Sequence, residues 1–192
     1  MASVASPYGM VGLRRLGSAY NTQGFSAYKI ASGYDTVIRF GDVVENIADG
    51  TIEKDVGTTT LTPLGVFLGC EYTADPDGLN YRLWSQSYPA NVVDDNIVAY
   101  VLDDPDALFE IQADGTVDQT AVGANAAIVQ TVTTNQFGKS RNALDQSSIA
   151  TTDTLPLRIV GFVTRPSSEI GDAFTDLIVK FNNHNLRTQT GI

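Results

Sequence analysis

A chain whose strongest local signal is an Asp-Gly turn set between apolar and β-branched residues is constrained to fold in hairpins, and this one carries the signal twice. The stretch Val43-Val44-Glu45-Asn46-Ile47-Ala48-Asp49-Gly50-Thr51-Ile52-Glu53 is matched in pattern by Leu108-Phe109-Glu110-Ile111-Gln112-Ala113-Asp114-Gly115-Thr116-Val117-Asp118. Asp-Gly supplies the positive φ angles a tight hairpin needs. The pattern predicts two hairpins of one type in an all-β chain. Either the chain holds an internal duplication or two unrelated hairpins share one turn chemistry.

Other segments carry the same message. Strands are predicted over 36–40, 64–69 and 97–102, the last apolar at every position as in a strand buried on both faces. Gly65 and Gly69 inside an apolar run suit bending or close backbone approach. Asp75-Pro76-Asp77-Gly78 is a turn, and 79–88 returns from it carrying Tyr81, Trp84 and Tyr88. Two more strands, 157–163 and 177–181, close the chain, and no segment has the periodicity of an amphipathic helix. Residues 119–155 are the least legible. The count of short strands and turns predicts an all-β fold, a β-barrel or β-sandwich body over 26–192 with a polar C-terminal tail. Residues 1–25 stand apart: glycines interrupt an apolar stretch with no clean period. They are read as an extended N-terminal arm that packs on another chain, or as an irregular first strand of the chain's own domain.

Composition excludes several classes. At 192 residues with 43% apolar content the chain can bury a single-domain core. A net charge of −10, with Arg14-Arg15 the only basic pair near an end, argues against nucleic acid as a partner. No apolar stretch is long enough to span a membrane, and the N-terminus lacks the pattern of a secretion signal. With 18% charged residues the surface relies on Thr, Ser, Asn and Gln, which suits either a chain that lives against other protein surfaces or an ordinary Thr-rich β-protein.

Chemistry is sparse. The single cysteine, Cys70, allows no intrachain disulfide and reads as a buried, inert thiol. His184 is the only histidine, and a Cys70–His184 dyad would join an apolar context to a polar one. The acids Asp94-Asp95, Asp103-Asp104 with Asp106, and Asp75-x-Asp77-Gly78 suggest turn residues before a calcium site or a glycosidase pair. No catalytic, cofactor-binding or metal-ligating set is predicted, and the chain is read as no enzyme. Tyr81, Trp84 and Tyr88 form either a carbohydrate-stacking face or a protein interface, with at least one of them in the core.

Several segments in their order resemble a family of tailed-bacteriophage head proteins, the decoration or cement (minor capsid) proteins. They are Gly24-Phe25 with Tyr28-Lys29-Ile30-Ala31-Ser32-Gly33-Tyr34 and Gly41-Asp42-Val43-Val44; Leu64-Gly65-Val66-Phe67-Leu68-Gly69-Cys70-Glu71-Tyr72; Val98-Ala99-Tyr100-Val101 with Asp103-Asp104-Pro105-Asp106-Ala107-Leu108-Phe109-Glu110; Leu157-Arg158-Ile159-Val160; and Asp172-Ala173 with Thr175-Asp176 to Asn183-His184. The resemblance implies a structural virion protein on the capsid exterior, assembled in a host cytoplasm, bound to the major capsid protein and to itself as a homotrimer. It would clamp neighbouring capsomers of an expanded head. In that reading Met10, Leu13, Leu16, Tyr20 and Phe25 bury against a neighbouring subunit, and Arg14 and Arg15 pair with its acids. Cutting the first 20 residues is then expected to abolish capsid binding while the β body still folds. The alternative is a tail or baseplate accessory that binds a cell-surface glycan.

Overall fold

The computed structural model describes residues 3–16, 24–74, 80–131 and 139–187. In chain order its strands are β1 (Val11–Arg15), β2 (Ser26–Lys29), β3 (Ile38–Arg39), β4 (Val43–Asn46), β5 (Ile52–Lys54), β6 (Gly65–Ala74), β7 (Tyr81–Ser85), β8 (Ser87–Tyr88), β9 (Val98–Leu102), β10 (Ala107–Gln112), β11 (Asn125–Ala126), β12 (Ile128–Val129), β13 (Ala143–Leu144), β14 (Leu157–Phe162) and β15 (Asp176–Phe181). Helical structure among these residues is limited to three single 3-10 turns.

The strands form a five-stranded sheet in the order β1-β10-β15-β14-β11 and a six-stranded sheet in the order β2-β9-β6-β4-β5, with β7 added to β6. Two ribbons, β12-β13 and β3-β8, complete the set. Neither large sheet closes on itself, so the expectation of a β-barrel is corrected. The arrangement is a multi-sheet all-β body, in place of a barrel or sandwich carrying a separate extended arm.

Two apolar cores explain why the second sheet is so apolar. Period-2 alternation turns Phe109 and Ile111, Leu157 and Ile159, and Leu177, Val179 and Phe181 to the inner face of the first sheet. There they meet Val43, Val66 and Leu102 of the second sheet. The neighbours of those three residues, Val44, Phe67 and Val101, point the other way into a second core with Ile30, Ile38, Ile97 and Tyr88. Each fully buried aliphatic or aromatic side chain contributes roughly 1.5–3 kcal/mol. The phenol of Tyr88 is satisfied inside, donating to the Tyr34 carbonyl at 2.8 Å and accepting from Val92 N–H at 3.3 Å.

Residues 3–16 of the N-terminal stretch belong to this body. β1 pairs antiparallel with β10. Ahead of it, Ser6 N–H donates to Gln112 Oε1 (2.8 Å), Phe174 N–H to Ser3 Oγ (3.0 Å), and Met10 N–H to the Gly41 carbonyl (3.0 Å). The Tyr8 hydroxyl lies 2.6 Å from Glu110 Oε1 and 3.0 Å from Asp176 Oδ1, with Arg165 bridging the two carboxylates. Burial, then the Asp176 charge, pushes the Tyr8 phenol up. With these backbone groups answered inside one chain, the irregular first strand prevails over the detached arm.

The two Asp-Gly segments part company. The first is a hairpin: β4 pairs with β5 across Gly50, whose φ is +82°. The second is not. Asp114 N–H donates to the Leu144 carbonyl (3.0 Å), Asp114 Oδ1 accepts from Gln146 N–H (2.8 Å), and Gly115 packs against the Gln146 side chain. β10 finds its partners in β1 and β15, far along the chain. Tertiary pairing has overridden the local turn signal, and no hairpin duplication exists.

At the end of β5 lies Asp55, 3% exposed, whose oxygens accept from Gly57 N–H and Thr62 N–H, each at 2.9 Å. Burial pushes its carboxyl up to about 6, with the Gly57 bond opposing. A carboxyl raised in the native state holds its proton more tightly there than in the unfolded chain. Its stabilising contribution is full below about pH 4 and lost as pH rises through about 6. Through this group the chain is expected to lose on the order of 2–3 kcal/mol of unfolding free energy between pH 4 and pH 7. Urea unfolding of wild type and Asp55→Asn at both pH values checks it, because the variant lacks this component.

Candidate interaction site on the outer hairpin

β6 is long enough to serve two purposes. Its first residues lie between β4 and β9; its later ones lie between β9 and β7. A register shift between Phe67 and Gly69 divides the two parts, with Gly69 at φ +153°. This β-bulge inserts one residue and reverses the phase of everything beyond it. Cys70 and Tyr72 therefore face the second core, and Glu71 turns to the opposite face. Trp84 lies across from Glu71, and its indole covers Gly69, where a Cβ would stand 3.0 Å from Trp84 Cζ2.

The resulting surface is apolar and open. Phe25 is 60% exposed, Trp84 57%, Tyr81 46% and Leu83 43%. Alternation along β7 puts Trp84 with Arg82 on one face and Tyr81 with Leu83 on the other. On the Trp84 side a cleft of about 410 Å³ is lined by Phe25, Leu68, Glu71, Trp84 and Tyr100. The Tyr100 hydroxyl donates to Glu71 Oε1 at 2.9 Å, which pushes its phenol up, and the Phe25 ring meets Tyr100 edge-on at 5.5 Å. Arg82 spans the rim: Nη1 donates to the Asn96 carbonyl (2.7 Å), and Nε stands 3.6 Å from Glu71 Oε2. What this arrangement offers is contact area: aromatic surface around one oriented carboxylate and one guanidinium.

The residues singled out in the sequence are dispersed. Met10 is wholly buried in the first core of its own chain. Leu13 and Leu16 are exposed on and just after β1, and Arg15 Nε pairs with Asp104 Oδ2 of the same chain at 2.5 Å. Arg14 is exposed on the same strand. Tyr20 lies outside the described residues. Of the six described residues, Phe25 joins the aromatic cleft and the others do not. Of the three aromatics, Tyr88 is fully buried, and Tyr81 and Trp84 occupy opposite faces of β7. Glu71 and Tyr100 were missed; the Leu68-Gly69 step, which marks the bulge, was the available signal.

The acids are occupied locally. Asp94 Oδ2 accepts from Thr73 N–H (2.6 Å) and Oδ1 from Asn96 N–H (2.8 Å), and the Thr73 bond holds this carboxyl below its ordinary value. Asp103 accepts from the Tyr28 hydroxyl at 2.7 Å, Asp104 Oδ1 from Asp106 N–H at 2.9 Å, and Asp106 pairs with Arg187. Among the described residues no cluster of three or more His, Cys, Asp or Glu is placed to hold a metal ion; Asp75 and Asp77 lie outside them. Cys70 sits in the second core, its thiol pushed up to about 12 by burial. His184 sits against Phe181 of the first, so the two form no dyad. No helix of the described residues is long and apolar enough to cross a membrane.

No protein-family model, no curated protein and no solved structure matches this chain.

Proposed function

We propose that the chain is a structural protein of a tailed-phage head, binding the outer surface of the expanded capsid and clamping neighbouring capsomers through the β6–β7 hairpin. The observation that carries this reading is the two-faced apolar character of β7, with Trp84 on one side and Tyr81 and Leu83 on the other. A strand apolar on both sides gains most by inserting between two protein surfaces, and large exposed apolar patches mark such contacts. The sequence's resemblance to head decoration proteins and a surface low in charge point the same way. The partners are then the major capsid protein and further copies of this chain as a trimer. Many modest contacts per particle sum to a strong clamp by multivalency.

The Phe25–Trp84–Tyr100 cleft around Glu71 also suits stacking of a sugar ring, which favours the second reading, a glycan-binding tail accessory. Quantitative mass spectrometry of purified particles separates the two. A ratio to the major shell protein near one-to-one supports the clamp; a handful of copies favours the tail accessory; absence from the particle defeats both. Leu83→Asp and Trp84→Ala are each expected to weaken particle binding roughly tenfold or more. Leu83→Asp, at an exposed position, is expected to move stability by about 0.5 kcal/mol or less, as thermal melting would show.

A further inference from the structure

Where β3, the end of β5 and the residues following β12 meet, a cavity of about 420 Å³ opens, with Arg39, Lys54, Gln130 and Thr131 in its wall. Arg39 is 8% exposed, and among the described residues its guanidinium makes no ion pair and no hydrogen bond; its nitrogens keep contact with solvent through the cavity. The buried acid three residues further along the chain is engaged elsewhere. Asp42 Oδ2 accepts from the Arg39 backbone N–H (2.9 Å) and from Lys54 Nζ (3.0 Å), and Oδ1 accepts from Asn142 Nδ2 at 3.3 Å. Asp55 is committed to Gly57 N–H and Thr62 N–H. Gln130 is anchored as well: its Nε2 donates to the Asp55 carbonyl (2.7 Å) and the Gly57 carbonyl (3.1 Å), and its Oε1 accepts from Asn142 Nδ2 (2.7 Å). Lys54 and Gln130 are thus anchored by hydrogen bonds, and Arg39 is the cation of the wall left over.

A guanidinium mostly covered by protein and open only to a cavity has few water partners, and its fork of N–H donors matches the two oxygens of a carboxylate or phosphate. We propose that this cavity is an oxyanion-binding site: the Arg39 guanidinium forks onto a carboxylate or phosphate group, and Lys54 Nζ, with hydrogens beyond the one given to Asp42, adds a further donor. Asp35 also lines the cavity and is exposed; its Oδ1 accepts from the Thr36 hydroxyl at 3.0 Å. Its charge opposes the incoming anion and tunes the affinity downward. The site is independent of the hairpin and of the function proposed for it.

Titration of the full chain with sodium phosphate, and separately with sodium succinate, tests this, with ionic strength held constant by chloride and binding followed by calorimetry and thermal melting. Saturable binding that raises the melting temperature is expected. Phosphate alone identifies a phosphate ligand, succinate alone a carboxylate, and both together their shared chemistry. Arg39→Gln is expected to weaken binding about tenfold or more. Asp35→Asn is expected to tighten it severalfold. If neither anion saturates, water alone solvates Arg39 and the proposal falls. It falls equally if a folded Arg39→Gln chain binds as the wild type does. Should that variant not fold, Asp35→Asn decides: tighter binding sustains the site and unchanged affinity overturns it.

Discussion

Replacing Gly65 with alanine is expected to destabilise the protein by about 3 kcal/mol or more. Gly65 opens β6 and is paired with Val44 on one side, while the next residue pairs with Leu102 of β9 on the other. A Cβ at this position would stand 2.3 Å from the Leu102 carbonyl oxygen, 2.8 Å from Val101 Cγ1 and 2.9 Å from the Leu102 carbonyl carbon. Two of these atoms are backbone in the middle of the second sheet, so no rotamer change relieves the contact. β6 and β9 must separate, and their separation disturbs both cores, because Val66 feeds the first and Phe67 the second. Urea unfolding at constant slope measures the loss. Gly161→Ala is the control: nothing lies within 4 Å of its Cβ position. It is expected to change stability by about 0.5 kcal/mol or less. Wild-type stability in Gly65→Ala would mean the two strands do not approach this closely.

Removing residues 1–16 is expected to abolish cooperative folding. The cut takes out Met10, whose complete burial alone is worth roughly 2–5 kcal/mol by comparison with Met→Ala changes. It strips β1 from β10, leaving that edge of the first sheet unpaired. It also removes the Tyr8 hydroxyl from between Glu110 and Asp176. Against a total stability of about 5–15 kcal/mol these losses are decisive. The truncated chain should show lost near-ultraviolet circular dichroism and increased binding of an apolar dye, with full-length Met10→Ala intermediate. A truncated chain that unfolds as one cooperative transition near the wild-type midpoint would show that the N-terminal stretch is, after all, separable.

Much of this fold is written locally. The strands 157–163 and 177–181 appear as β14 and β15, paired with each other through a register shift between Ile159 and Gly161, because Leu157, Ile159, Leu177, Val179 and Phe181 all have one core to face. The Asp49-Gly50 turn makes its hairpin, and the two glycines of β6 mark a close approach and a bulge. What the sequence hides is long-range pairing. Nothing around Asp114 announces that Leu144 and Gln146 will claim its backbone and carboxylate. The glycine-broken N-terminal stretch reads equally as an arm or as a first strand until β10 is seen beside it. The aromatic cleft draws Phe25, Glu71, Trp84 and Tyr100 from four separate segments, and only the phase reversal at Gly69 brings Glu71 to their side. Arg39 sits in a strand the sequence predicts, but its place in the cavity wall is a property of three dimensions alone.

The bulge at Gly69 also sets how this molecule is free to vary. Inward of it, successive residues of β6 face alternate cores, and a change of one methylene at either is felt in a packed interior. Outward of it, the positions facing solvent answer to neither. A lineage carrying this fold can therefore rewrite Arg82, Leu83 and Trp84 to follow a changing partner while the interior stays as it is. One inserted residue makes recognition and folding separately inheritable along a single strand pair.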